Sequence, residues 1–214
     1  MGQGNIYMKL KVCGMRDAEN IKALGELNPD FIGFIFYDKS PRFVGNELEV
    51  QVLNSLPSGI KKVGVFVNAS IDYILQNVRK YRLNYVQLHG NEMPDFCKSL
   101  RLKGVNIIKA FRVDDTFIFS QLNNYKPHVD FFLFDAKGDG YGGNGITFDW
   151  NILKKYDNEK PYFLAGGISP DNVDELKNIT PKPYAVDVNS KFELSPGMKD
   201  IEKLKELILK VRES

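Results

Sequence analysis

Eight short apolar runs punctuate the chain: IYMKLKVCG (6–14), DFIGFIF (30–36), KKVGVFVN (61–68), NYVQLHG (84–90), NIIKAFR (106–112), DFFLFDA (130–136), PYFLAGG (161–167) and KPYAVDVN (182–189). Most are near-continuous in apolar residues rather than alternating, the pattern of strands covered on both faces in a parallel sheet. Between them the spacing changes to three and four residues, which predicts helices over 18–27, 47–56, 70–81, 93–102, 115–125, 169–179 and 199–211. Ser70 is an expected N-cap. Ser169 is another, with Pro170 at the first helical position and acidic residues in the opening turn. In the last segment Ile201, Leu204, Leu207 and Ile208 form an apolar stripe, and Thr147 or Asp149 is placed to cap a short helix over 147–156.

Successive strands begin about 20 to 30 residues apart, the size of one strand–helix unit, and eight units predict a closed (β/α)8 TIM barrel. A doubly wound sheet is the alternative, but no GxGxxG follows the first strand. At 214 residues, with no break in composition, the expectation is one compact domain over 1–214.

The bulk composition narrows the function classes. With 29 basic against 27 acidic residues there is no excess of charge to favour nucleic acid or a membrane surface. Two distant cysteines make no disulfide framework, and the N-terminal MGQGNIY has neither the basic nor the apolar part of a signal peptide. A soluble, cytoplasmic protein is the expectation.

A barrel carries its active site at the C-terminal ends of its strands. Those ends hold Cys13, Arg42 in the SPR turn, Asn68, His89, Arg112, Asp135, Gly166–Gly167 and Asp187–Val188–Asn189–Ser190. Cys13 is either a small core hydrophobe or a thiol facing the pocket, ionised where cations lie near, with Lys11 and Arg16 as candidates. Asp135 is its complement as an acid, or a carboxylate capping a loop. The LAGGIS turn fits close backbone approach to a phosphate, the neighbouring Asn189 and Ser190 supplying the other half, or is a plain helix entry. Arg42 suits bidentate binding of a carboxylate, unless it is a solvated loop arginine. His89 reads as a packed or hydrogen-bonding histidine before a base. With His128 it makes only two histidines, too few for a zinc cluster. Cys97 sits in a helical stretch and reads as core, and GDGYGGNG (138–145) as a lid beside Asp135, lacking the GK[ST] of a P-loop.

The segments KVCGMRDAENI (11–21), DFIGFIFYDKSPRFV (30–44), VGVFVN (63–68), VQLHG (86–90), FLFDA (132–136) with GGNGITFDW (142–150), LAGGISPDNV (164–173) and DVNSKFELSPGMKD (187–200) together resemble phosphoribosylanthranilate isomerases of tryptophan biosynthesis, nearly end to end. The resemblance implies a (β/α)8 barrel, monomeric or homodimeric, that uses no cofactor and no metal. It implies an Amadori rearrangement of N-(5-phosphoribosyl)anthranilate to 1-(2-carboxyphenylamino)-1-deoxyribulose 5-phosphate. It implies Cys13 as general base and Asp135 as general acid. Arg42 would meet the anthranilate part, His89 and Arg112 are counted with the substrate-binding residues, and Gly166, Gly167, Asn189 and Ser190 fall in the phosphate-binding turns. Lys191 stands where the family has a glycine, so a strained backbone or an added cationic contact to phosphate is expected there. Two rivals remain: the related indole-forming synthase, which relies on a lysine and glutamates, and a catalytically idle barrel that binds a phosphorylated ligand.

Overall fold

The computed structural model describes residues 8–45, 48–136 and 149–212. The glycine-rich stretch 138–145, Thr147 and the first residues of the predicted opening strand lie outside them. Eight strands close into a parallel barrel in chain order: β1 (Lys9–Val12), β2 (Phe31–Ile35), β3 (Lys61–Phe66), β4 (Tyr85–Leu88), β5 (Ile107–Val113), β6 (Phe131–Ala136), β7 (Tyr162–Leu164) and β8 (Ala185–Val188). Closure comes from β8 returning to β1, with Lys11 opposite Asp187 and Val12 opposite Val188. The predicted (β/α)8 barrel is the observed architecture.

The strands are mostly apolar because both faces are covered, but by different partners. The outer face carries Val12, Ile32, Phe34, Val86, Phe132, Phe134 and Val186 into one large cluster with helix residues such as Leu24, Leu53, Ile74, Leu100 and Leu204. A fully buried side chain of this size contributes about 1.5–3 kcal/mol. The inner face holds a smaller cluster of Phe31, Val63, Ile108, Ala110, Leu133, Phe163, Ala165 and Ala185. At the N-terminal end Phe31, Tyr85, Phe131, Phe163 and Tyr184 pack edge-on or tilted, with centroids 4.8 to 6.5 Å apart, and floor the barrel with aromatic rings. Nearer the C-terminal end the inward positions turn polar.

Among the described residues five α-helices accompany the strands: α1 (Ala18–Glu26), α2 (Val50–Ser55), α3 (Ile71–Tyr81), α4 (Pro94–Arg101) and α5 (Ile201–Arg212). Asp17 caps α1 by accepting from Asn20 N at 2.8 Å, and Ser70 caps α3 as expected, accepting from Tyr73 N. The α5 stripe is buried at Leu204, Leu207 and Ile208. After β5, β6 and β7 the predicted helices are instead short 3-10 segments, Phe119–Asn124 with Lys126–His128, Trp150–Lys155 and Val173–Asn178. Phe117, Ile118 and Phe119 are poor helix formers, and Pro127 interrupts the ladder that would continue the first of these. After β7, Asn172 diverts the first turn: its Oδ1 accepts from Ser169 N and its Nδ2 donates to Gly167 O, both at 2.9 Å. Ser169 therefore does not cap a helix; Asn172 occupies the cap position of the 3-10 segment. Asp149 does cap Trp150–Lys155, accepting from Asn151 N. A two-stranded hairpin of β9 (Glu193–Ser195) and β10 (Met198–Lys199) follows β8. No helix among the described residues is long and apolar enough to cross a membrane.

Candidate active site

Cys13 follows β1 directly and extends its ladder, its N–H donating to Val188 O at 2.9 Å. It is 5% exposed, at the mouth of the barrel. Burial pushes the Cys13 thiol above the ordinary thiol range; the Lys11 ammonium pulls it back, Asp187 adds to the rise, and Lys199 opposes it. Of the two cations considered from sequence, Lys11 is thus the one beside the sulfur. Arg16 turns away and donates to Pro41 O. Lys11 is fully buried, and its Nζ donates to Asp187 Oδ2 at 2.8 Å. Burial works against that ammonium, yet Asp187 and Cys13 together hold it above the ordinary lysine range. Burial likewise raises the Asp187 carboxyl, against the pull of Lys11 and with a further push from Asp135.

Asp135 points into the same chamber from β6 and is 7% exposed. His89 Nε2 lies 3.2 Å from Asp135 Oδ2, and Gln87 Nε2 lies 2.8 Å from His89 Nδ1. With Gln87 donating to Nδ1, the imidazole carries its hydrogen on Nε2 and presents it to Asp135. His89 is therefore a hydrogen-bonding partner of the candidate acid. Arg112 stands opposite Asp135 in the β5–β6 register. It shares with His89 a cavity of about 390 Å³ lined also by Phe111, Phe117 and Tyr125.

On the β2 side the SPR turn delivers Arg42 to the hairpin. Glu193 takes the Nε–Nη2 edge of the guanidinium, with Nη2 to Oε2 at 2.7 Å and Nε to Oε1 at 2.9 Å. Glu193 also accepts from Lys199 Nζ and from Gly197 N. Burial opposes ionisation of Glu193, but hydrogen bonds from Arg42 and Lys199 hold it below the ordinary carboxylate range. A Cβ on Gly14 would stand 2.7 Å from Asn189 Oδ1 and 2.8 Å from Arg42 Cδ, so these two side chains close over the residue that follows Cys13.

Gly166 and Gly167 have φ of +84° and +70°, a left-handed pair that L side chains rarely adopt. Because β7 pairs with β8, this turn lies beside Asn189 and Ser190. The Asn189 side chain is already engaged, its Oδ1 accepting from Lys199 Nζ at 2.8 Å. Ser190–Phe192 forms a 3-10 turn. Lys191 is not among the left-handed non-glycine residues, which are Asn28, Asn68, Arg82 and Asn158 among those described. The strain expected at Lys191 is therefore absent, since a right-handed turn accommodates any side chain.

Asp187, Glu193, Lys199 and Gln87 received no role from the sequence. Their signal was present in part: Lys11, Gln87 and Asp187 are polar residues inside otherwise apolar buried runs, where an unpaired charge is costly. Cys97 is core as expected, buried in α4 with its thiol pushed up to about 11 by burial. No group of three or more His, Cys, Asp or Glu among the described residues is disposed to hold a metal ion.

Comparison with known proteins agrees with this geometry. The family described as PRAI, N-(5'phosphoribosyl)anthranilate (PRA) isomerase, matches residues 10–210. The N-(5'-phosphoribosyl)anthranilate isomerase of Parabacteroides distasonis is 45% identical over 206 residues, covering 95% of this chain and 93% of the relative. The phosphoribosyl anthranilate isomerase structure from Thermotoga maritima superposes with a TM-score of 0.87 at 34% identity, covering 97% and 100% of the two chains. A phosphoribosyl anthranilate isomerase solved with reduced 1-(o-carboxyphenylamino)-1-deoxyribulose 5-phosphate gives a TM-score of 0.84 at 31% identity, with the same coverage.

Proposed function

The chain belongs to the N-(5'-phosphoribosyl)anthranilate isomerase family, and we propose that its Amadori rearrangement, a step of tryptophan biosynthesis, runs on Cys13 as base and Asp135 as acid. Asp135, hydrogen-bonded to His89, acts as the acid that gives a proton to the furanose ring oxygen, and the sugar opens to an iminium. The Cys13 thiolate then takes the C2′ proton. The C–H electron pair moves toward the iminium nitrogen, and the resulting enolamine tautomerises to the ketone. Each transfer is general acid–base catalysis by a side chain, and no cofactor is required. The turns at Gly166–Gly167 and at Asn189–Ser190 take the phosphate, with Lys191 as an added cation beside them. Arg42 takes the anthranilate carboxylate, which must meet Nη1 or displace Glu193 from the guanidinium. His89 and Arg112 line the wall behind the acid. Holding both ends of the substrate turns binding energy into orientation. The same reading makes the protein a cytoplasmic monomer or homodimer with no nucleic-acid or membrane partner.

The observation that carries the proposal is the convergence of the buried Cys13 thiol and the buried Asp135 carboxyl group on one chamber at the C-terminal mouth of the barrel. An isomerase assay that follows loss of the substrate's fluorescence tests it. Wild-type protein should turn over the substrate, and Cys13→Ala and Asp135→Asn should each lose most of kcat while remaining folded. Near-native turnover in C13A would remove Cys13 from its role, and no turnover in the wild type would favour an idle ligand-binding barrel.

A further inference from the structure

A thiol works as a base only as thiolate, and burial of Cys13 favours the neutral form. Two residues earlier, on the same face of β1, the Lys11 side chain is fully buried. A Cβ on Gly33 would stand 2.8 Å from Cys13 Sγ and 3.1 Å from Lys11 Nζ, so thiol and ammonium share the space left by that missing side chain. From β8, Asp187 Oδ2 accepts from Nζ at 2.8 Å, while Oδ1 has no hydrogen-bond partner among the described residues. A buried ion pair is seldom retained for stability, because apolar residues of similar volume serve the fold as well. This pair instead places an ammonium against the sulfur and anchors it from behind.

We propose that Lys11 is a positioning residue that supplies the counter-charge for the Cys13 thiolate, with Asp187 holding its ammonium beside the sulfur. The proposal rests on Cys13 being the base. Among the described residues the charged groups around the sulfur are Lys11 on β1, Asp187 on β8 and Lys199 on β10, with Asp135 and His89 beyond Asp187 and Arg42 beyond Lys199. Lys199 is already bound by Glu193 and Asn189, which spend its charge elsewhere. Lys11 is left as the cation shared between one carboxylate and the sulfur. It keeps its proton throughout: the C2′ proton passes to the sulfur, and the thiol then leaves Lys11 and Asp187 as a neutral pair.

The ultraviolet thiolate absorbance of Cys13, taken as the difference from C13S, reads the ionisation directly in wild-type, K11M and D187N proteins. In K11M the titration should move to higher pH by one unit or more, about tenfold less thiolate at a given pH below it. In D187N the ammonium stays and its competing carboxylate goes, so the titration should move to lower pH. Opposite signs are the signature. A pair that serves only the fold would leave the titration in place or move it the same way in both variants, and either result overturns the proposal. If K11M does not fold, D187N decides alone: an unchanged or raised titration refutes the counter-charge. Turnover does not enter this readout. An inactive C13A with an unmoved K11M titration refutes the counter-charge alone. A fully active C13A with opposed shifts refutes the base instead.

Discussion

Each of the two cysteines has a buried lysine–carboxylate pair beside it, and the pairs are built to different ends. Lys109 Nζ donates to Leu88 O, Gly90 O, Ala110 O and Glu92 Oε2, and Glu92 in turn accepts from Asn68 N and Gly90 N. That network ties the segments after β3 and β4 to β5 itself, and its ammonium has more partners than it has hydrogens. Lys11 has Asp187 and a sulfur, and Asp187 keeps one oxygen unpartnered. Burial therefore outweighs the partners of Lys109 and lowers its pKa, whereas the anions around Lys11 raise its own. Cys97, beside the saturated pair, is a packed core residue; Cys13, beside the open one, faces the chamber. On the proposed reading, the buried ion pair with every donor spoken for serves as a structural clamp, and the one with capacity left over serves the reaction site.

Breaking the two neighbourhoods separately, at the thiol in one and at the lysine in the other, gives the widest contrast. C13A should lower kcat about 10²–10⁴-fold, the usual contribution of a general base, read by the fluorescence assay. K109M should cost about 3–5 kcal/mol of stability in urea titration, since it leaves Glu92 buried without its cation. The Cys13 thiolate titration of the folded K109M protein should stay where it is in the wild type. Movement there would mean the two pairs are coupled, and the contrast would fail.

A third cluster, Arg42–Glu193–Lys199, sharpens the rule because its carboxylate serves two cations. R42A should raise KM about tenfold or more, the worth of a charge-assisted hydrogen bond, with kcat less affected. A large kcat loss at unchanged KM would contradict a ground-state clamp. The carboxyl of Glu193 is depressed in the folded protein. Its stabilisation is therefore complete above the unfolded carboxylate value and is lost as pH falls through the lower folded value. E193Q should remove much of the stability difference between about pH 5 and pH 3, measured as Tm against pH. Smallest of all, C97A should leave kcat within about twofold, because Cys97 lies in α4 behind the clamp.

The barrel was legible because eight apolar runs at regular spacing permit few other closures. Helix type after β5, β6 and β7 was not, because it turned on local competitors such as the Asn172 amide and Pro127 rather than on hydrophobic period. The ends of the strands located the chamber, and the family resemblance supplied the roles expected of Cys13 and Asp135. Sequence spacing could not reveal that Glu193 occupies one edge of Arg42, a contact across 151 positions. Nor could it place Asp187 behind Lys11, which depends on the register that closes the barrel.

Gly33 carries a consequence for how such a site would be surveyed. Alanine scanning finds residues by taking atoms away, and Gly33 has none beyond its backbone to take. What matters at this position is an empty seat that sulfur and ammonium occupy together. A single methyl group there would crowd Sγ at 2.8 Å and Nζ at 3.1 Å and force the sulfur, the ammonium or both to shift. Part of the proposed reaction machinery is thus specified by the smallest residue in the barrel wall, a position that a catalogue of functional side chains would pass over.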